Sequence, residues 1–366
     1  MDCGSTVATS PDATNVVHTS QAIFTSIPSP ISRGYRLVAC GADLSAQEKR
    51  EITQRSPSHG NLLAVEPGGF GLLSYSLSSG RQCVGLTRPA GAEHTARGGS
   101  RVHTHMAILS PSDFLRFHCD PCRVIDALRT AVGDEPLLKP LARLPIIELH
   151  AVVPTADAPA EIIEAARRLL AALFVRTTRL AVVGIADSFA ALRLLMSGAP
   201  LALRRRLSLS SGIRLSQARK FDLVFAGSER VSAERAADKR EIKLFDCGSE
   251  APSAATPFDR WVAFCKRRWM DGRTAALDRL SVRLDQEPRG DPLSRIASLC
   301  DDLDAVASAS AAQLAERLRR HRDEPASMPV HADLLREFRV AAESRRSALE
   351  GENVEDAPRP AVGGDR

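Results

Sequence analysis

The sequence is short of aromatic side chains and of lysine. Phe, Trp and Tyr make up 4% of its 366 residues, and lysine stands only at positions 49, 139, 220, 239, 243 and 266. Its cores must therefore be built from Leu, Val, Ile and Ala, and arginine carries most of its positive charge. Long apolar runs are missing too. No window approaches the roughly 18 uncharged apolar residues of a membrane-spanning helix, so a membrane is not expected as a partner. The N-terminus lacks a charged start followed by an apolar stretch, so no signal peptide is expected and the cytoplasm is the expected compartment. The eight cysteines are irregularly spaced, which excludes a small disulfide scaffold.

Several catalytic signatures are absent. There is no Gly-x-x-x-x-Gly-Lys-Ser/Thr loop, no Gly-x-Gly-x-x-Gly, no Gly-x-Ser-x-Gly elbow and no His-Glu-x-x-His. No catalytic residue, metal or cofactor is assigned from the sequence. Any nucleotide chemistry linked to this chain must lie in a partner.

What is present is globular in balance: 44% hydrophobic and 25% charged residues. Single cores rarely grow past roughly 250–300 residues, so two or three domains are expected. A net charge of +5 is modest for this length. The densest basic runs, Arg204-Arg205-Arg206 and Lys266-Arg267-Arg268, read as solvated helix faces, and a nucleic-acid partner is not expected.

The pattern along the chain gives an α+β protein. Residues 1–18 read as a disordered arm. An N-terminal β-rich α+β domain over 19–143 starts with strands at 21–27 and 35–40. A capping box at Ser45 and Glu48 then opens a helix over 46–55. A meander follows, with strands at 70–77 and 83–88, a polar glycine-rich loop over 89–100, and a strand from Arg101 to Leu109. An α/β middle domain over 144–248 holds an amphipathic helix from Glu161 to Val175, whose Ile162, Ala165, Ala166, Leu169, Leu170 and Leu173 share one face. After a linker at 249–257, residues 258–349 are helical in pattern, and 350–366 read as a disordered tail.

The chemistry-bearing stretch is Glu93-His94-Thr95-Ala96-Arg97-Gly98-Gly99-Ser100-Arg101-Val102-His103-Thr104-His105. On a strand, His103 and His105 share a face. Gly98 and Gly99 let backbone amides approach an anion, Arg97 offers a bidentate guanidinium, and an imidazole pair can hold a metal or move protons. A cupin-type metal site would need a carboxylate soon after the second histidine, where this chain has Ala107 to Leu109. The plainer reading is a hairpin loop held by an Arg–Glu pair, with partly exposed histidines. His118-Cys119-Asp120-Pro121-Cys122 contains Cys-x-x-Cys without a second ligand pair, and reads as two cysteines packed at a turn.

These residues carry a resemblance. Gln21-Ala22-Ile23-Phe24, Gly34 to Ala39, Ser56-Pro57, Tyr75 with Ser79-Gly80-Arg81, and Glu93, Arg97-Gly98-Gly99 and Val102 to His105 resemble the N-terminal domain of the bacterial GTPase-associated protein 1 family. Leu201 to Gly212 resembles that family's middle domain, with Leu209 and Ser211 where Phe and Thr are usual. The resemblance implies a GTPase or other NTPase protein as partner, in defence or signalling. The expected function is a non-enzymatic adaptor or sensor. Its binding candidates are Glu93, Arg97, Gly98, Gly99, His103 and His105, and its middle-domain docking candidates are Arg204, Ser208, Ser210 and Gly212. The alternatives are a hydrolase using His103 and His105 on a phosphate- or peptide-containing substrate, and a nucleic-acid-binding protein.

Overall fold

The fold comes from a computed structural model that describes residues 16–28, 34–63, 69–93, 100–133, 143–151, 158–216, 218–227, 230–238, 242–249, 255–286 and 289–355. Arg97, Gly98 and Gly99 lie outside them, as do most of the expected arm and linker and the end of the expected tail. The chain divides into two compact units, 1–253 with 266–286, and 254–265 with 287–366. Among the described residues no helix is long and apolar enough to cross a membrane.

The architecture is α+β. The first unit is organised by one mixed sheet. Its first six strands are β1 (Val16–Ser26), β2 (Tyr35–Cys40), β3 (Gly71–Ser76), β4 (Gln82–Ala92), β5 (Ser100–Leu109) and β6 (Ile147–His150). The other four are β7 (Leu180–Val183), β8 (Leu209–Ser211), β9 (Leu223–Gly227) and β10 (Lys243–Asp246). Their order is β10-β7-β9-β8-β3-β4-β5-β1-β2, with β6 also paired to β1. From β10 to β8 neighbours are parallel, and from β3 to β2 they are antiparallel.

The two halves meet where β8 pairs antiparallel with β3, Ser210 opposite Leu73. Gly212 just beyond makes this seam possible. Its φ is +68°, and a Cβ there would stand 2.7 Å from the Phe70 carbonyl oxygen. One apolar core runs beneath the seam, joining Phe24, Tyr75 and Met106 to Phe221, Val224 and Ile242.

Two strands depart from the sequence reading. β1 begins at Val16, because Val16 to Thr19 pair with β6. β4 runs on to Ala92, into the expected loop, because a bulge after Pro89 lets Ala92 pair with Ser100.

The helices of this unit cover the sheet. In α1 (Ala46–Arg55) the capping box forms as expected, Ser45 accepting from the Glu48 amide and Glu48 from the Ser45 amide. After the short α2 (Pro111–Arg116) comes α3 (Pro121–Val132), capped by Asp120 with proline at its first position. In α4 (Ala160–Phe174) all six residues of the expected apolar face are buried. Asp187 caps α5 (Ser188–Gly198), and Pro200 opens α6 (Leu201–Arg206). The helix α7 (Arg230–Asp238) links β9 to β10; α8 (Asp259–Met270) begins in the second unit and enters the first at Lys266, and α9 (Thr274–Val282) follows.

The second unit is helical, with α10 (Gly290–Asp304), α11 (Ala311–Arg320) and α12 (Pro329–Glu355). Leu293, Ile296, Leu314, Leu335 and Phe338 are buried within it. Its helical end runs to Glu355, into the stretch expected as tail.

Candidate functional site

The pleat of β5 sends Met106 and Ile108 into the main core and His103 and His105 to the opposite face. The two imidazoles are neighbours, with ring centroids 6.3 Å apart at 74°. They are not exposed. His103 is 1% and His105 7% accessible, and both pair with β1 on one side and β4 on the other.

Hydrogen bonding fixes the second ring. Gln21 Nε2 donates to the Pro145 carbonyl at 2.7 Å, which turns its Oε1 toward His105 Nε2 at 2.6 Å. An amide oxygen only accepts, so His105 carries its proton on Nε2. Burial depresses both basicities, with help from the Arg88 charge. His103 falls to about 4 and His105, which also feels His103, to about 3. Both rings are therefore neutral at physiological pH.

The same side groups foot the loop between β4 and β5. Glu93, itself buried, accepts from Ser26 Oγ at 3.2 Å. The Tyr35 hydroxyl accepts from the Val102 amide at 3.0 Å. Burial, together with the nearby Glu93 charge, pushes the Tyr35 phenol up to about 12. Arg101 reaches across to the Ala90 carbonyl with Nε at 2.9 Å. Gln21 and Tyr35 belong to the segments that carried the family resemblance. Sequence reasoning did not see that they hold the histidines and the loop base.

The middle-domain candidates sit at the seam and inside. Ser208 Oγ donates to Asp222 at 2.7 Å, and Ser210 is buried in β8. Arg204 is not on a solvated helix face. Its Nη1 donates to Asp278 of α9 at 2.7 Å, its Nε to the Ala199 carbonyl at 2.7 Å, and its Nη2 to the Ser197 carbonyl at 3.2 Å. A carboxylate on α9 draws the guanidinium inward, 74 residues along the chain.

Asp278 is the hub of a buried ionic network. It also accepts from Arg123 of α3 and from His118 Nδ1, the latter at 2.6 Å. Asp120 lies 3.6 Å from Arg123. Burial alone would raise the Asp278 pKa. The His118 hydrogen bond and the Arg204 and Arg123 charges overcome it and hold the carboxyl at about 2. Asp120, without so many partners, is raised by burial.

The backbone here is unusual. His118 and Cys119 have φ of +56° and +52°, two consecutive left-handed residues that are not glycine. His118 is the partly exposed member of the network. With Leu115, Arg116, Leu201, Arg205, Val282, Arg283 and Asp285 it lines a shallow pocket of about 430 Å³. Cys119 and Cys122 are free buried thiols, and burial raises both pKa values. Among the described residues no group of three or more His, Cys, Asp and Glu is arranged to hold a metal ion.

Residues 18–142 match the family described as GTPase-associated protein 1, N-terminal domain type 2. The matched segment runs from β1 to α3 and includes Gln21, Tyr35, Glu93, His103 and His105. No curated protein and no solved structure gives a match to the chain.

Proposed function

We propose that the chain is a non-enzymatic adaptor or sensor in a GTPase-linked multi-protein system. The observation that carries this reading is the burial of the imidazole pair on β5. His103 and His105 are sealed, neutral and engaged with neighbouring strands, which suits a structural footing rather than proton transfer to a substrate. The loop they underpin, from Glu93 through Arg97, Gly98 and Gly99 to Ser100, is the recognition element for the partner. The family match favours a GTPase or related NTPase as that partner.

The test is affinity purification of the full chain from its own cells, with GDP or a non-hydrolysable GTP analogue present, followed by mass spectrometry. A GTPase is expected to be retained, with a yield that depends on the nucleotide and drops for Arg97→Glu. Recovery of no NTPase under either nucleotide would sink the proposal. So would turnover of a phosphate or peptide substrate by the purified chain that His105→Gln abolishes while its melting curve is kept.

A further inference from the structure

The geometry points to a second binding site, separate from the loop between β4 and β5. The pocket beside His118 takes the phosphate group of a small soluble ligand, with Arg116, Arg205 and Arg283 as counter-charges and His118 as the directional contact.

The pocket's charge is the first argument. Three guanidiniums and one carboxylate, Asp285, line it. A phosphate dianion offers several oxygens to such a set, and guanidinium matches it in both charge and planar geometry. The three arginines are exposed. Arg116 is also anchored, since its Nη1 donates to the Val16 carbonyl at 2.9 Å.

The second argument is how His118 is held. Asp278 has a side-chain exposure of 4% and is ionised, so it accepts and His118 Nδ1 must carry the proton. Nε2, away from that bond, contacts the phosphate as an acceptor from its P–OH group in the neutral ring, or as a donor to its oxygen in the imidazolium. A buried carboxylate orienting a part-exposed imidazole is a second-layer arrangement that a merely structural histidine does not need.

The third argument is strain. Two adjacent non-glycine residues in the left-handed region store backbone strain. His118 and Cys119 keep that conformation because the ionic network over-determines it. Arg204 Nη1 even donates to the His118 carbonyl, at 3.2 Å. Such conformations tend to persist where a side chain must be aimed.

Titration of the full chain with sodium pyrophosphate, and separately with GDP, tests this by calorimetry and by the imidazole NMR signals of His118. Saturable binding that weakens with added salt and shifts the His118 signals is expected. The exposed-site double variant Arg205→Gln/Arg283→Gln should keep its melting curve and bind at least about tenfold more weakly, as loss of charge-assisted bonds predicts. Tighter binding of GDP than of pyrophosphate identifies a nucleotide as the source of the phosphate, and equal binding identifies the phosphate group alone. Absence of saturable binding up to tens of millimolar, or undiminished affinity in the double variant, overturns the assignment.

Discussion

The buried histidines and the buried aspartate make opposite demands on pH. His103 and His105 are held below 6.5, at about 4 and 3, by burial. The unfolded chain therefore takes up their protons first as acid is added. Their contribution to stability is complete above pH 6.5 and lost as pH falls toward 4 and then 3. Asp278, lowered from 3.8 to about 2, keeps its contribution until pH drops below 4. Denaturant titrations from pH 7 to pH 4 are expected to show a fall of a few kcal/mol that shrinks in His105→Gln; an identical slope in variant and parent counts against the assigned burial. At neutral pH, Asp278→Asn should cost about 3–5 kcal/mol, since it leaves Arg204 and Arg123 facing each other in the interior. A loss well under 1 kcal/mol would show that water reaches the network.

At the scale of elements, local signals were legible and distant ones were not. Ser45 and Glu48, three residues apart, announced the cap of α1. Period-two alternation put His103 and His105 on one side of β5. Neither pattern reports what covers a strand, so the depth of those rings was not legible. Arg204 looked like a surface arginine because its partner, Asp278, lies on another helix. The three residues of β8 were too few to stand out, although Gly212 beside them was marked.

The turn Ser79-Gly80-Arg81 gained a reason only in three dimensions. Arg81 clamps Glu48 with Nε at 2.8 Å and Asp43 with Nη1 at 2.6 Å, and holds the Glu48 carboxyl at about 2. Arg81→Ala is expected to lower the midpoint of urea unfolding by about 1–2 kcal/mol equivalent, as loss of a charge-assisted pair at the start of a helix should. Gly212→Ala should cost about 1–3 kcal/mol through its left-handed φ and the Phe70 carbonyl. A thermal melt matching the parent would mean that the seam can yield.

At the scale of the molecule, the second unit carries its own titration. His321 lies between Asp302, 2.8 Å from Nε2, and Glu324, 2.5 Å from Nδ1, and the Asp302 hydrogen bond raises its pKa. The sign is the reverse of that for β5. Its contribution is complete below 6.5 and lost as pH rises through the folded value. Buried His331, lowered by desolvation, opposes it. His321→Gln should therefore destabilise the helical unit more at pH 6 than at pH 9 in calorimetry.

The join between β8 and β3 bears on how the gene can be divided. The family match ends at residue 142, yet β3 takes a neighbour from residues 209–211. A product cut to the matched segment would expose the flank of Leu72, Leu73 and Ser74 as a bare row of amides and carbonyls, which recruits another copy of itself. An expression fragment that respects the family boundary is expected to precipitate where the full chain, with α9 and its Asp278 in place, stays in solution.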